Sequence, residues 1–364
     1  MALRVALVRA LLCTLAICAV HTAVASAARL ACTGNPARVH TLHVTVDGVR
    51  TYGYYVLPRA HRPRGLVVVA HGYQRAADSE IGHLLALARH DGVIAVAMDD
   101  HGQTDLPPAP GSTLEQSRGW RVQEGADDSI AAAHAFDRAC RRLPTIDVIG
   151  ISMGGNTSGL TVAERARRRG GRPLFDYWVD VEGVTNVTET YEEAVGDAKL
   201  TGNAYSAEAA ADIEQEMGGT PASAPAAYQS HTVVARAEDI AASRLKGVVL
   251  VHGALDGTVP SDQTREMSTR LRGVGIPSQV FTVFTRGSGE PGSTLDGGVL
   301  GAIDTAYTSP FAGHGSESSF TQLVIDTGYA RLDALLHGRP PACDREFAVD
   351  GDTGTTAPDP SSGC

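Results

Sequence analysis

The chain has 364 residues, of which 43% are hydrophobic and 20% charged, and it carries 31 Lys and Arg against 41 Asp and Glu. That composition is enough to fill a substantial core. The acidic balance argues against nucleic acid and anionic membrane surfaces as partners.

Arg4 and Arg9 precede an apolar run from Ala10 to Val20, and Ala25-Ser26-Ala27 offers small residues for cleavage, so residues 1–27 are expected to be a secretory signal peptide. The run is shorter than the ~20 residues that span a bilayer and no second run follows, so no stable membrane anchor is expected. Arg29 argues against lipid attachment at Cys32. Removing the segment takes two arginines and no acid, leaving 29 basic residues against 41 acidic ones. Four cysteines remain, Cys32, Cys140, Cys343 and Cys364. An even number in an exported chain points to two disulfides. Of the three possible pairings, Cys32 with Cys140 and Cys343 with Cys364 are favoured; no C-x-x-C or H-x-x-x-H spacing suggests a metal site.

Alternating residues on either side of Asp47-Gly48, from Leu42 to Val46 and from Arg50 to Leu57, predict an antiparallel hairpin. Gly65 to Ala70 reads as a strand buried on both faces. A helix from Ser79 to His90, a strand from Val93 to Met98, a helix near Glu124 to Leu143 and a strand from Ile146 to Ile151 follow. A helix from Met153 to Arg169 and a strand from Phe175 to Val181 continue the alternation. Strands and helices alternating at this spacing give an α/β fold, with a mostly parallel twisted sheet covered on both faces. The core is thus expected over 28–183, interrupted by a helical cap insertion over 184–246 and resumed over 247–342. The resumed part holds a strand from Gly247 to Val251, a helix from Ser261 to Leu271, a strand from Ser278 to Phe284 and a helix from about Glu317 to Leu336. Residues 343–364 read as a loop-like, disulfide-closed tail.

One serine stands between glycines at the end of a buried strand, in Gly150-Ile-Ser152-Met-Gly154. A sharp strand-to-helix turn there exposes Ser152 at the carboxyl end of the sheet and aims the Met153 N–H at a developing oxyanion. Locally, a glycine-rich turn opening an ordinary helix fits the same residues. A serine hydroxyl attacks only when a base takes its proton and a carboxylate orients that base, so an acid and then a histidine are needed downstream. Asp256 lies in a loop just past the strand from Gly247, and His314 lies in Gly313-His-Gly315 before the final helix. Glu182, ending the strand from Phe175, is an alternative acid.

With this order of Ser, Asp and His, and with the turn His71-Gly72-Tyr73 after an early strand, the mature chain resembles the α/β-hydrolase superfamily. The stretch from His252 to Pro260 is similar to prolyl-oligopeptidase-like, dienelactone-hydrolase-like and polyhydroxybutyrate-depolymerase-like members, and the hairpin leading to Tyr55-Val-Leu-Pro58 resembles secreted esterases of the last group. The resemblance implies a secreted serine hydrolase with Ser152, His314 and Asp256 as its triad, the amides of Tyr73 and Met153 as its oxyanion hole, and no metal or organic cofactor. The expected substrate is a small-molecule or polymeric carboxylic ester, because the hairpin is esterase-like and the chain lacks a propeller-sized filtering domain. A prolyl-oligopeptidase-like peptidase and a non-catalytic exported binding protein are the alternatives. The sequence assigns no oligomeric state.

Structural roles are expected for several other residues. His71 and His252 belong to the sheet rim, His337 to the end of the last helix, Asp99-Asp-His101 to the rim of the cleft and Trp178 to the core. The sequon at Asn156 falls under the serine turn; a second stands at Asn186.

Overall fold

Five strands in a row, β3 (Leu66–Ala70), β4 (Ile94–Met98), β5 (Ile146–Ile151), β6 (Tyr177–Val181) and β7 (Gly247–Gly253), are buried along their whole length. Val, Ile, Leu and Ala dominate them because both faces of each strand meet a layer of helices. The structure is a computed structural model that describes residues 30–102, 119–140, 142–254, 256–284, 313–314, 322–350 and 355–358. The expected signal segment, Cys364 and the expected first turn of the last helix lie outside these residues.

The hairpin of β1 (Val39–Val46) and β2 (Val49–Val56) turns at Asp47-Gly48, both at positive φ, and joins β4 antiparallel. From β4 the sheet runs parallel in the order β4-β3-β5-β6-β7 to β8 (Ser278–Phe284). The chain leaves β3 for β4 on one side and returns to β5 on the other. The resulting crevice lies between the carboxyl ends of β3 and β5, the place where open parallel sheets bind ligands.

One hydrophobic layer joins the sheet to α2 (Val122–Ala139), α3 (Met153–Ala163) and α8 (Ser261–Gly273). The opposite layer joins it to α1 (Ile81–Ala86) and α9 (Gln322–Leu336). Leu66 and Val68 face the first layer, Val67 and Val69 the second, as the two-residue period of a strand demands.

Between β6 and β7 the chain is helical: α4 (Val187–Thr201), α5 (Ala204–Met217), α6 (Pro225–His231) and α7 (Ala237–Ser243). Asn186 and Asn203 cap the first two by accepting from Glu189 N and Tyr205 N, and Gly202 and Gly218 end them at positive φ. These are the residues such ends require.

Three expectations need correction. The helix expected over Ser79 to His90 is a 3₁₀ turn, α1 and a wide turn at Leu87–Asp91, stopped by Gly92 in the left-handed region. The helix expected to reach Arg169 ends at Ala163, because Arg165 takes positive φ and Arg168 turns inward. The Arg168 side chain donates to Leu174 O, Leu143 O and the Asp176 carboxylate, and it is buried. The stretch after Cys343 is not loop. It adds β9 (Arg345–Asp350), parallel to β8, and β10 (Thr356–Pro358), antiparallel to β9. Phe347 of β9 stacks on Phe281 of β8 with ring centroids 4.6 Å apart.

Cys32 and Cys140 form a disulfide that ties the segment before β1 to the end of α2. Cys343 is also disulfide-bonded, and its expected partner Cys364 lies outside the described residues. The Cys32–Cys140 bridge spans 108 residues of sequence. A loop of that size constrains the unfolded chain by about 4–5 kcal/mol on entropic grounds. The paired substitution Cys32→Ser/Cys140→Ser should therefore lower the free energy of unfolding by about 3–5 kcal/mol in denaturant titration; an unchanged midpoint would show that the bridge adds no stability.

Candidate active site

Ser152 stands between β5 and α3 at φ 58°, ψ −123°, a backbone conformation that few non-glycine residues adopt. The turn is held from three sides: Ser152 N donates to Val181 O of β6, while Gly155 N and Val184 N donate to Ser152 O. It also requires its glycines. A Cβ at Gly150 would lie 1.9 Å from Gly154 O, and one at Gly154 would lie 2.2 Å from Ala70 O. The serine is thus lifted above the sheet at the crevice between β3 and β5.

His314 is buried and joins two elements distant in sequence. Its Nε2 lies 3.0 Å from Ser152 Oγ, and its Nδ1 lies 2.8 Å from Asp256 Oδ2. The other oxygen of Asp256 accepts from Thr258 N and Val259 N at 2.8 and 2.9 Å, which fixes the carboxylate in the loop after β7. Glu182, also buried and at φ 52°, brings Oε2 to 3.8 Å from His314 Nδ1. The hydrogen bond therefore goes to Asp256, while Glu182 acts on the ring through its charge.

Burial disfavours the imidazolium of His314, but the charges of Asp256 and Glu182 and the Asp256 hydrogen bond outweigh it, raising the pKa from 6.5 to about 9. The folded state holds a proton that the unfolded chain gives up near 6.5. This contribution to stability is complete below that value and is lost as pH rises through about 9.

Gly72 of the turn after β3 lies against the serine, since a Cβ there would stand 3.7 Å from Ser152 Cβ. Tyr73 follows it, and the Tyr73 hydroxyl donates to Asp212 of α5 at 2.6 Å, joining the turn to the helical segment. Met153, fully buried, is the first residue of α3, where a helix supplies no acceptor for the amide. Ser152, Tyr73 and Asp256 border a cavity of about 890 Å³ with mostly apolar walls. Trp120 closes one side of it and α4 and α5 another.

The residues expected to be structural sit as such. His71 Nδ1 is 3.1 Å from Gly72 O, with Nε2 3.7 Å from Asp100. Burial holds the His252 ring neutral, its pKa lowered to about 4. His337 contacts Asp333 O at the end of α9, and Trp178 is fully buried and donates to Ser158 Oγ. Asn156 is buried with its amide on His231 O, and Asn186 caps α4, so neither presents a free sequon side chain. Sequence reading did not single out the cavity wall of α4. Thr190, Glu193, Ala194 and Asp197 repeat at helical spacing along that wall, and this periodicity was the signal available.

No protein-family model and no curated protein matches the sequence. Among solved structures, puromycin hydrolase superposes with a TM-score of 0.51 at 15% identity, over 83% of this chain and 39% of that one. An esterase of Pyrobaculum calidifontis superposes with a TM-score of 0.50 at 18% identity, over 68% of this chain and 75% of that one. An acylaminoacyl peptidase of Pyrococcus horikoshii reaches 0.49 at 15% identity, over 78% of this chain and 43% of that one. The chain thus spans 39% of the length of the puromycin hydrolase and 43% of that of the acylaminoacyl peptidase. At these identities the likeness establishes the α/β-hydrolase fold.

The imidazole proton between His314 and Asp256 should resonate far downfield and titrate near the raised value of about 9. In Glu182→Gln the titration should move to lower pH, since one of the two negative charges beside the ring is gone; an unmoved titration would exclude Glu182 as a determinant.

Proposed function

We propose that the chain is a secreted serine hydrolase that cleaves carboxylic esters, with Ser152 as nucleophile, His314 as general base and Asp256 as the carboxylate that orients it. The observation that supports this reading above all is the continuous chain of hydrogen-bond distances from Asp256 through His314 to Ser152, opening on an apolar cavity. Ser152 Oγ attacks the ester carbonyl as His314 Nε2 takes its proton, and Asp256 stabilises the imidazolium that forms. The amides of Tyr73 and Met153 receive the oxyanion. Collapse of the tetrahedral species expels the alcohol with the proton from His314, and a water activated by the same ring releases the acid from Ser152.

Export through residues 1–27 belongs to the same reading. It accords with the Cys32–Cys140 disulfide and with the finding that no helix among the described residues is long and apolar enough to cross a membrane. A second reading, cleavage of an amide or peptide bond, draws on the likeness to puromycin hydrolase. The chemistry at Ser152 would be the same, and only the leaving group would differ.

Fluorophosphonate should label the protein once, at Ser152, and Ser152→Ala should lose labelling together with about 10⁴-fold or more of the esterase rate. Full labelling of that variant would reject the assignment. Rates on short-chain p-nitrophenyl esters should exceed those on aminoacyl anilides and rise with pH toward the His314 value of about 9. Faster anilide cleavage would favour the second reading.

A further inference from the structure

The cavity beside Ser152 is unequal in charge. Its acidic and basic lining residues outside the triad are Glu193 and Asp197 of α4 and Asp262 and Arg265 of α8. Arg265 is spent on Asp262, donating through both Nε and a terminal nitrogen to one carboxylate oxygen. Asp197 is buried and receives the hydroxyls of Ser206 and Thr201, which hold it inside the helical segment. Glu193 makes no hydrogen bond or ion pair among the described residues, although it is half-buried at the cavity wall. Burial, and then the charges of Glu189, Asp256 and Asp262, raise its pKa to about 7. Among the described residues that line the cavity outside the catalytic site, Glu193 is thus a carboxylate without an ion-pair partner.

Independent of these acids, the apolar part of the cavity is aromatic. Tyr73 packs against Trp120 with ring centroids 5.7 Å apart and meets Tyr205 edge-on at 5.6 Å, and all three border the cavity. Trp120 is 3% exposed, and its indole N–H has no acceptor among the described residues. Aromatic faces and a carboxylate lining one cavity are surroundings that stabilise an alkylammonium group.

We propose that this cavity selects substrates bearing a positively charged amine or quaternary ammonium group, which Glu193 pairs with while the Tyr73–Trp120–Tyr205 rings enclose its alkyl groups. The proposal deepens the hydrolase reading and rests on it.

The test compares butyrylthiocholine with its neutral isostere S-(3,3-dimethylbutyl) thiobutyrate, which differ in charge at one atom, by following thiol release at low ionic strength. For the unaltered protein, kcat/KM should be at least about ten-fold higher for the cation, and added salt should shrink the ratio. Tetramethylammonium ion should inhibit hydrolysis of the neutral thioester competitively. In Glu193→Gln the ratio should fall toward one, with melting temperature as the check on folding. Equal values for the two thioesters in the unaltered protein, or a faster neutral one, would overturn the proposal and leave the esterase reading standing. Failure to hydrolyse either thioester together with failure to label with fluorophosphonate would remove both.

Discussion

A serine can turn from β5 into α3 at φ 58° only if its neighbours leave it room and hold it in place, because such a conformation costs a non-glycine residue about 1–3 kcal/mol. The room comes from Gly150 and Gly154, whose missing side chains let the helix start lie against the strand and against Ala70 O. The hold comes from hydrogen bonds to Val181, Gly155 and Val184, which belong to the next strand, the helix and the start of the helical segment. The sheet order, the buried strands and the placing of α4 all converge on this one residue.

Around that turn the site is dominated by negative charge. Asp256 and Glu182 together hold the proton on His314, and only one of them is bonded to the ring. One carboxylate suffices to orient an imidazole, and the charge of the second further raises the basicity of the ring. The cavity in front of the serine continues the same sign through Glu193. A cation paired with Glu193 would favour the ionised carboxylate, which burial and then the charges of Glu189, Asp256 and Asp262 disfavour. Asp256 raises the pKa of both His314 and Glu193, so the electrostatics of the two are coupled.

Much of the fold is legible in the chain because its central strands are continuous apolar runs with glycine or proline at their borders. Ser152, Asp256 and His314 can be picked out because each sits in a short glycine-marked loop after such a run, and the structure brings the three within hydrogen-bond distance. Legibility fails where local pattern and long-range pairing part. β9 is read as loop because only Val349 of its six residues is buried, and its pairing to β8 rests on the Phe347–Phe281 stack and on backbone bonds that carry no sequence period. The early end of α3 depends on a buried ion pair of Arg168 with Asp176, where an arginine run suggests a solvated helix end. Cavity walls are harder still. Glu193 and Trp120 come from elements about 70 residues apart, and nothing local marks either as facing the same space.

The account depends most on Ser152 forming a covalent acyl intermediate. Mixing the protein with excess p-nitrophenyl acetate, quenching in acid within the first turnover and measuring intact mass should show one added acetyl group, mapped to the peptide that contains Ser152. Turnover with no acetyl adduct at that serine, and with Ser152→Ala as active as the unaltered protein, would contradict it.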